Sequence, residues 1–263
     1  MNNLLPIVQR VLALAPLRGK GRLADLLLKG EATEVTCHPL AGVTIHLNPQ
    51  QRIERLMWAG AYEPDLVRML KSFLKPGMVF VDLGANVGYF SAISAALVGD
   101  YGRIFAFEPA PNCFTRLQRN LSAFPQAFVY NCAASDRTGQ AWFYLHSKED
   151  GWGSLLNDGD LRRRVEVNTI RLDDWARDAA IKRLDFLKID IEGGEYGALL
   201  GAQALLKRFR PLVIAELNSV CLSRDQRTPD DVLHLLAEAG YHLRRTDDSV
   251  IATPQAVPAV VEP

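Results

Sequence analysis

The chain has 263 residues, 48% of them hydrophobic and 23% charged, enough apolar material for one large α/β domain with an extension. Thirty basic residues balance thirty acidic ones, which removes the electrostatic case for a nucleic-acid or anionic-surface partner. Four cysteines without C-x-x-C spacing argue against a disulfide framework or a zinc site and fit a reducing compartment. Met1-Asn2-Asn3 lacks a positive leader, and the apolar stretch after it is broken at Pro6, Gln9 and Arg10. It reads as neither signal peptide nor membrane span, so a cytoplasmic location is expected.

Leu4, Ile7, Val8, Val11, Leu12 and Ala15 recur at helical spacing and predict a helix over 4–15, with a second over Leu23–Leu28. Nearby basic residues also suit a membrane-surface helix. Packing on the chain's own domain or on a second copy, giving a homodimer through these helices, is the favoured reading. Strands at Glu34–Cys37 and Val43–Leu47 form a predicted hairpin, and helices follow at 50–59 and 63–74. Residues 1–60 are thus read as an extension acting as substrate lid or oligomerisation element, 61–253 as the main domain, and 254–263 as a disordered tail.

From Pro76-Gly77 the pattern alternates. Strands are expected at Met78–Leu83, Arg103–Phe107, Ala127–Cys132, Ala141–Leu145, Val165–Ile170, Asp185–Ile191 and Leu212–Leu217. Helices are expected at Tyr89–Val98, Asn112–Ala123, 194–209 and Pro229–Ala239. Tyr241–Arg245 and Val250–Ala252 close the chain as a hairpin. Repeated strand–helix units imply a mainly parallel sheet covered on both faces, with one antiparallel strand at or near its edge.

The first strand runs into Asp82-Leu83-Gly84-Ala85-Asn86-Val87-Gly88 and then a helix. Glycines allow the sharp turn, and Asn86 is the non-glycine type most tolerant of positive φ. Ligands on such sheets bind beyond the carboxyl ends of the strands. Tyr89 breaks the G-x-G-x-x-G dinucleotide pattern, so the turn suits the amino-acid end of S-adenosylmethionine, with Asp82 toward its ammonium group. Glu108 ends the next strand twenty residues after Gly88, where a carboxylate accepts from ribose hydroxyls, and Pro109 stiffens its turn. Small residues at Ala133 leave room for a purine, and Ser135 or Asp136 can bond its amine.

These motifs resemble those of the FkbM-type family of S-adenosylmethionine-dependent methyltransferases. The resemblance rests on Val79–Phe90, Phe105–Pro109, the loop Ala133–Asp136, Thr169–Asp174 and, most specifically, Phe186–Glu195 (FLKIDIEGGE), with Gly201-Ala202 and Pro211–Glu216. It implies a class I Rossmann-like fold with a seven-stranded sheet and a closing antiparallel hairpin. It also implies O-methylation of small metabolites, sugar or polyketide-like.

Read as a strand, Lys188, Asp190 and Glu192 share one face. A hydroxyl acceptor loses its proton during methyl transfer, so Asp190 and Glu192 are candidates for base or orienter, and Asp190 also for cofactor contact. Lys188 can lower a neighbouring carboxylate or stabilise an alkoxide. His146 is a further catalytic candidate, and Trp152, Ser154, Glu192 and Glu216 are candidate substrate contacts. Asp190, Glu216 and Asn218 are also oxygen donors of the kind Mg²⁺ takes, the less favoured use of the same strand ends. Other readings are an RNA or protein acceptor, against which the charge balance counts, or a non-catalytic cofactor-binding module.

Overall fold

The computed structural model describes residues 8–9, 11–12, 19–31, 33–145, 153–157 and 163–255. Among the described residues no helix is long and apolar enough to cross a membrane, and all four cysteines are buried free thiols. The chain falls into two compact units that meet in sequence after Asn131.

In the first unit α1 (Lys20–Leu28) precedes a two-stranded antiparallel hairpin, β1 (Val35–Cys37) with β2 (Ile45–Leu47), which pairs Thr36 with His46. Then come α2 (Arg52–Trp58), α3 (Pro64–Phe73), β3 (Val79–Leu83), α4 (Tyr89–Val98), β4 (Arg103–Phe107), α5 (Pro111–Leu121) and β5 (Ala127–Tyr130). Strands β3, β4 and β5 are parallel. All five residues of β3 are buried, as a strand covered on both faces requires. Helix α4 is buried almost all round, which its small residues Ser91, Ala92, Ser94 and Ala95 permit. Of the predicted 4–15 helix, Val8, Gln9, Val11 and Leu12 are described and are helical.

In the second unit β6 (Cys132–Ala134), β7 (Gly139–Leu145), β8 (Gly153–Ser154) and β9 (Arg164–Ile170) make a four-stranded sheet in the order β6-β9-β7-β8. After α6 (Leu172–Asp178) follow β10 (Phe186–Ile189), α7 (Glu195–Leu200), α8 (Gln203–Phe209), β11 (Leu212–Glu216), α9 (Ser219–Ser223) and α10 (Pro229–Glu238). The chain closes with β12 (Tyr241–Arg245) and β13 (Ser249–Pro254). Strands β10 and β11 are parallel, while β13 lies antiparallel between β11 and β12. The main sheet has seven strands in the order β12-β13-β11-β10-β3-β4-β5. This mostly parallel sheet with one reversed strand near an edge is the α/β class I methyltransferase fold.

Several boundaries differ from the sequence expectation. The strand expected over Ala127–Cys132 divides, because the chain leaves β4 after Tyr130 and pairs Cys132–Ala134 with Asn168–Ile170 instead. The helix expected over 194–209 breaks at Gly201-Ala202, where a Cβ on Gly201 would stand 2.2 Å from the Ser135 carbonyl oxygen. The short helices α6 and α9 have no counterpart in the sequence reading, and β13 extends to Pro254, the first residue of the expected tail. The strand expected over Asp185–Ile191 stops at Ile189.

Candidate functional site

The glycine turn belongs to the first unit. Between β3 and α4 the backbone takes positive φ at Gly84 (77°), Asn86 (51°) and Gly88 (88°). A Cβ on Gly88 would stand 2.8 Å from Leu117 Cδ1, so the turn lies close against α5. The amides of Gly84 and Ala85 both donate to the Phe107 carbonyl at 3.0 Å, tying the turn to the end of β4. Gly84 and Asn86 are its half-exposed positions, while Ala85, Val87 and Gly88 are buried.

Glu108 locks this arrangement. Its Oε2 accepts the Asn86 N–H at 2.8 Å and its Oε1 the Ala110 N–H at 2.8 Å. Asn131 Nδ2 donates to the carbonyls of Glu108 and Pro109 at 2.9 and 3.1 Å, fixing the loop after β4. Asp82 is fully buried and its Oδ2 accepts the Ser91 hydroxyl at 2.6 Å. The positive φ of Gly84 and Gly88 and the carboxylate of Glu108, an acceptor suited to hydroxyl donors, are compatible with the ligand read from the sequence.

The second unit holds the remaining described candidates. Ala133 lies in β6, paired with Thr169. Ser135 Oγ donates to Asp136 Oδ1 at 3.1 Å. Partial burial opposes ionisation of Asp136, but bonds from Arg137 and Ser135 hold its carboxyl below the usual value.

At the ends of β10 and β11 the oxygens of Asp190, Glu192 and Glu216 lie within 4.8 Å of one another. Strand alternation does not account for this. Asp190 follows the strand, and Glu192 sits in a turn with φ 55°. Lys188, 3% exposed, reaches Asp190 Oδ2 at 3.1 Å. Burial raises the cost of charge on Asp190, but the Lys188 ammonium and a hydrogen bond from Glu216 hold its carboxyl low. Burial and the Asp190 charge push Glu216 up, to about 10, so Glu216 is the neutral donor of the pair. Glu192 is also raised, by burial and then by Asp190.

Ser154, placed among the substrate contacts by sequence, is buried and donates to the Glu192 carbonyl at 2.8 Å. Asn218 Oδ1 accepts the amides of Val220 and Cys221 at 3.1 and 3.2 Å as the cap of α9. The clustered carboxyl oxygens are those of Asp190, Glu192 and Glu216, while the Asn218 side-chain oxygen caps α9. The three carboxyl groups offer the hard oxygen donors Mg²⁺ takes. His146 and Trp152 lie outside the described residues.

Two residues of this site receive no site role from the sequence, although Glu195 closes the most specific motif, Phe186–Glu195. Glu195, 1% exposed, accepts the amides of Ile191 and Gly193 on Oε1 at 3.1 and 3.2 Å, and burial pushes it up to about 7. Cys221 Sγ donates to Glu192 Oε2 at 3.2 Å, and burial followed by the Glu192 charge pushes the thiol up to about 12. An isolated cysteine on a five-residue helix carries no motif that would single it out.

The chain is similar to several known proteins. The family model for the methyltransferase FkbM domain matches residues 82–243. The 2-O-methyltransferase NoeI of Sinorhizobium fredii is 26% identical over 159 residues, 54% of this chain and 65% of that protein. The hexuronic acid methyltransferase AglP of Haloferax volcanii is 26% identical over 200 residues, 73% and 77% of the two chains. The 31-O-demethyl-FK506 methyltransferase FkbM of Streptomyces tacrolimicus is 30% identical over 178 residues, 56% and 68%. The chain thus spans just under two thirds of the length of the first of these relatives.

Proposed function

The chain belongs to the FkbM family of S-adenosylmethionine-dependent methyltransferases, and from that premise we propose that it methylates a hydroxyl group of a sugar or polyketide-like metabolite. The observation that carries the reading is the set of three carboxyl groups at the ends of β10 and β11, whose surroundings drive their ionisation apart. Such splitting is how one site assigns base and non-base roles to similar groups. The acceptor class is supported by the names of relatives: a 2-O-methyltransferase, a hexuronic acid methyltransferase and a 31-O-demethyl-FK506 methyltransferase.

S-adenosylmethionine, when bound, supplies the electrophilic methyl group. The turn Gly84–Gly88 and Glu108 hold the cofactor's amino-acid and ribose portions, with Asp82 behind the turn and Ala133, Ser135 and Asp136 assigned to the adenine. Asp190 stays ionised beside Lys188 and orients the acceptor hydroxyl by accepting from it. Glu192 takes the hydroxyl proton, because a raised carboxylate is the better base. Glu216 stays neutral and donates to Asp190, keeping a second negative charge out of the cluster. Mg²⁺, if bound, would be held by Asp190, Glu192 and Glu216 and would supply Lewis-acid polarisation of the acceptor oxygen.

The test uses the full chain, radiolabelled S-adenosylmethionine and a panel of methyl glycosides, uronic acids and macrolide alcohols, read by mass spectrometry. Glu192→Gln should cut turnover by roughly 10²–10⁴-fold, the usual worth of a positioned base, and Asp190→Asn should also lower it, while cofactor affinity stays near wild type. Undiminished turnover in both variants would remove these carboxylates from the chemistry. Methylation of RNA or protein alone would move the acceptor class.

A further inference from the structure

Glu192 combines a side chain the chemistry needs with a backbone that glutamate avoids. Its φ of 55° is the left-handed conformation, which is sterically disfavoured for a residue with a Cβ. Contacts within the second unit hold it there. The Ser154 hydroxyl donates to its carbonyl at 2.8 Å and accepts the Leu156 amide at 3.1 Å. Glu195 Oε1 accepts the amides of Ile191 and Gly193, one on each side of Glu192. A Cβ on Gly193 would stand 2.5 Å from the Cys221 carbonyl oxygen, so the peptide after Glu192 lies directly on the middle of α9.

The side chain is held by the same helix. Cys221 Sγ donates to Glu192 Oε2 at 3.2 Å, and among the described residues Oε1 has no hydrogen-bond partner. The thiol is itself fixed, since the Cys221 amide donates to the Asn218 side chain that caps α9. One carboxylate oxygen is thus tethered to a rigid element and the other left for a ligand.

We propose that Cys221 is a positioning residue for Glu192, its thiol anchoring Oε2 so that Oε1 is presented to the acceptor hydroxyl. The inference rests on the reading of Glu192 as the base. A thiol suits the task because it is a weak donor. It orients the carboxylate with little loss of basicity, where a lysine or arginine would favour the ionised form strongly and weaken the base.

The experiment compares Cys221→Ala, Cys221→Ser and Glu192→Gln in the full chain with the fastest acceptor of the panel. Cys221→Ala should lower kcat on the order of tenfold to a hundredfold, the effect of slight misplacement, with both KM values nearly unchanged. Serine should restore most of that loss, since its hydroxyl donates to the same oxygen. In the Glu192→Gln background Cys221→Ala should cost nothing further, as a shared role predicts. An equal loss in both backgrounds, or serine no better than alanine, would mean that Cys221 only supports the fold.

The hydrogen bond has its own readout. The S–H stretching band, isolated by difference against Cys221→Ala, should rise in frequency in Glu192→Ala. An unmoved band overturns the proposal even if Glu192→Gln is inactive and the base reading stands. Wild-type turnover in Glu192→Gln removes the base and with it anything for Cys221 to position. Should no panel acceptor react, the band alone decides.

Discussion

Lys188, Asp190 and Glu216 show how two carboxyl groups are kept close at a partly buried strand end. One proton and one ammonium are shared among them: Lys188 pairs with Asp190 at 3.1 Å, and Glu216 is raised from 4.5 to about 10 beside the same aspartate. Between those two values Glu216 is neutral when folded and ionised when unfolded. The folded chain therefore binds the extra proton, and this group's contribution to stability falls as pH rises across the window, by at most about 1.4 kcal/mol per pH unit. Glu216→Gln keeps an N–H donor for Asp190 and removes the titration. Its urea midpoint should decline less than that of wild type between about pH 5 and about pH 9. Glu192 and Glu195 are raised too and titrate in both proteins, so the difference between the curves isolates Glu216. Parallel curves would mean that Glu216 is ionised in the folded chain. Composition shows that these residues are charged but not which one gives up its charge. That depends on burial and on neighbours brought from a strand far along the chain.

At the scale of elements, what the sequence displays is periodicity and punctuation. The alternation of apolar strands with amphipathic or small-residue helices sets Tyr89–Val98, Arg103–Phe107 and Tyr241–Arg245 to the residue, because each is bounded by glycine, proline or charge. It fails where tertiary contacts choose the boundary. Cys132–Ala134 leaves the main sheet to pair with β9, and the helix after Glu195 breaks where Gly201 meets Ser135. Phe186–Ile189 ends early, so the strand-face argument for Glu192 does not hold, and the loop that replaces it brings the same carboxylate to the cluster. The glycine turn is legible for the opposite reason, since its backbone angles admit few residue types. Gly88 has φ 88° and a Cβ there would meet Leu117. Gly88→Ala should therefore cost roughly 1–2 kcal/mol from the φ alone, more if the leucine cannot yield, and weaken cofactor binding. Gly139, open on all sides within 4 Å, is the control; Gly139→Ala should stay within about 0.5 kcal/mol of wild type, as surface changes usually do. Urea unfolding and titration calorimetry with S-adenosylmethionine give the two readouts. Equal behaviour of the two variants would remove the turn from the list of constrained elements.

For the whole molecule, cofactor binding and folding are one equilibrium. A ligand that binds only the folded chain stabilises it by about 2.7 kcal/mol at a hundred times its Kd. For a chain of this size that corresponds to a rise in Tm of roughly 5–10 °C. S-adenosylmethionine should produce such a rise, and NADH should not, because Tyr89 stands where a dinucleotide turn continues with glycine. Glu108→Ala should lose most of the shift. It also frees the Asn86 and Ala110 amides from their carboxylate, so its unliganded Tm is measured first and the shift taken relative to it. With thirty charges of each sign, the chain has no net field to gather a polyanion. The shift should therefore change little with salt, unlike nucleic-acid binding, whose affinity falls steeply as counterions are added. A shift with NADH and none with S-adenosylmethionine would reassign the turn, and with it the meaning of every carboxylate in the second unit.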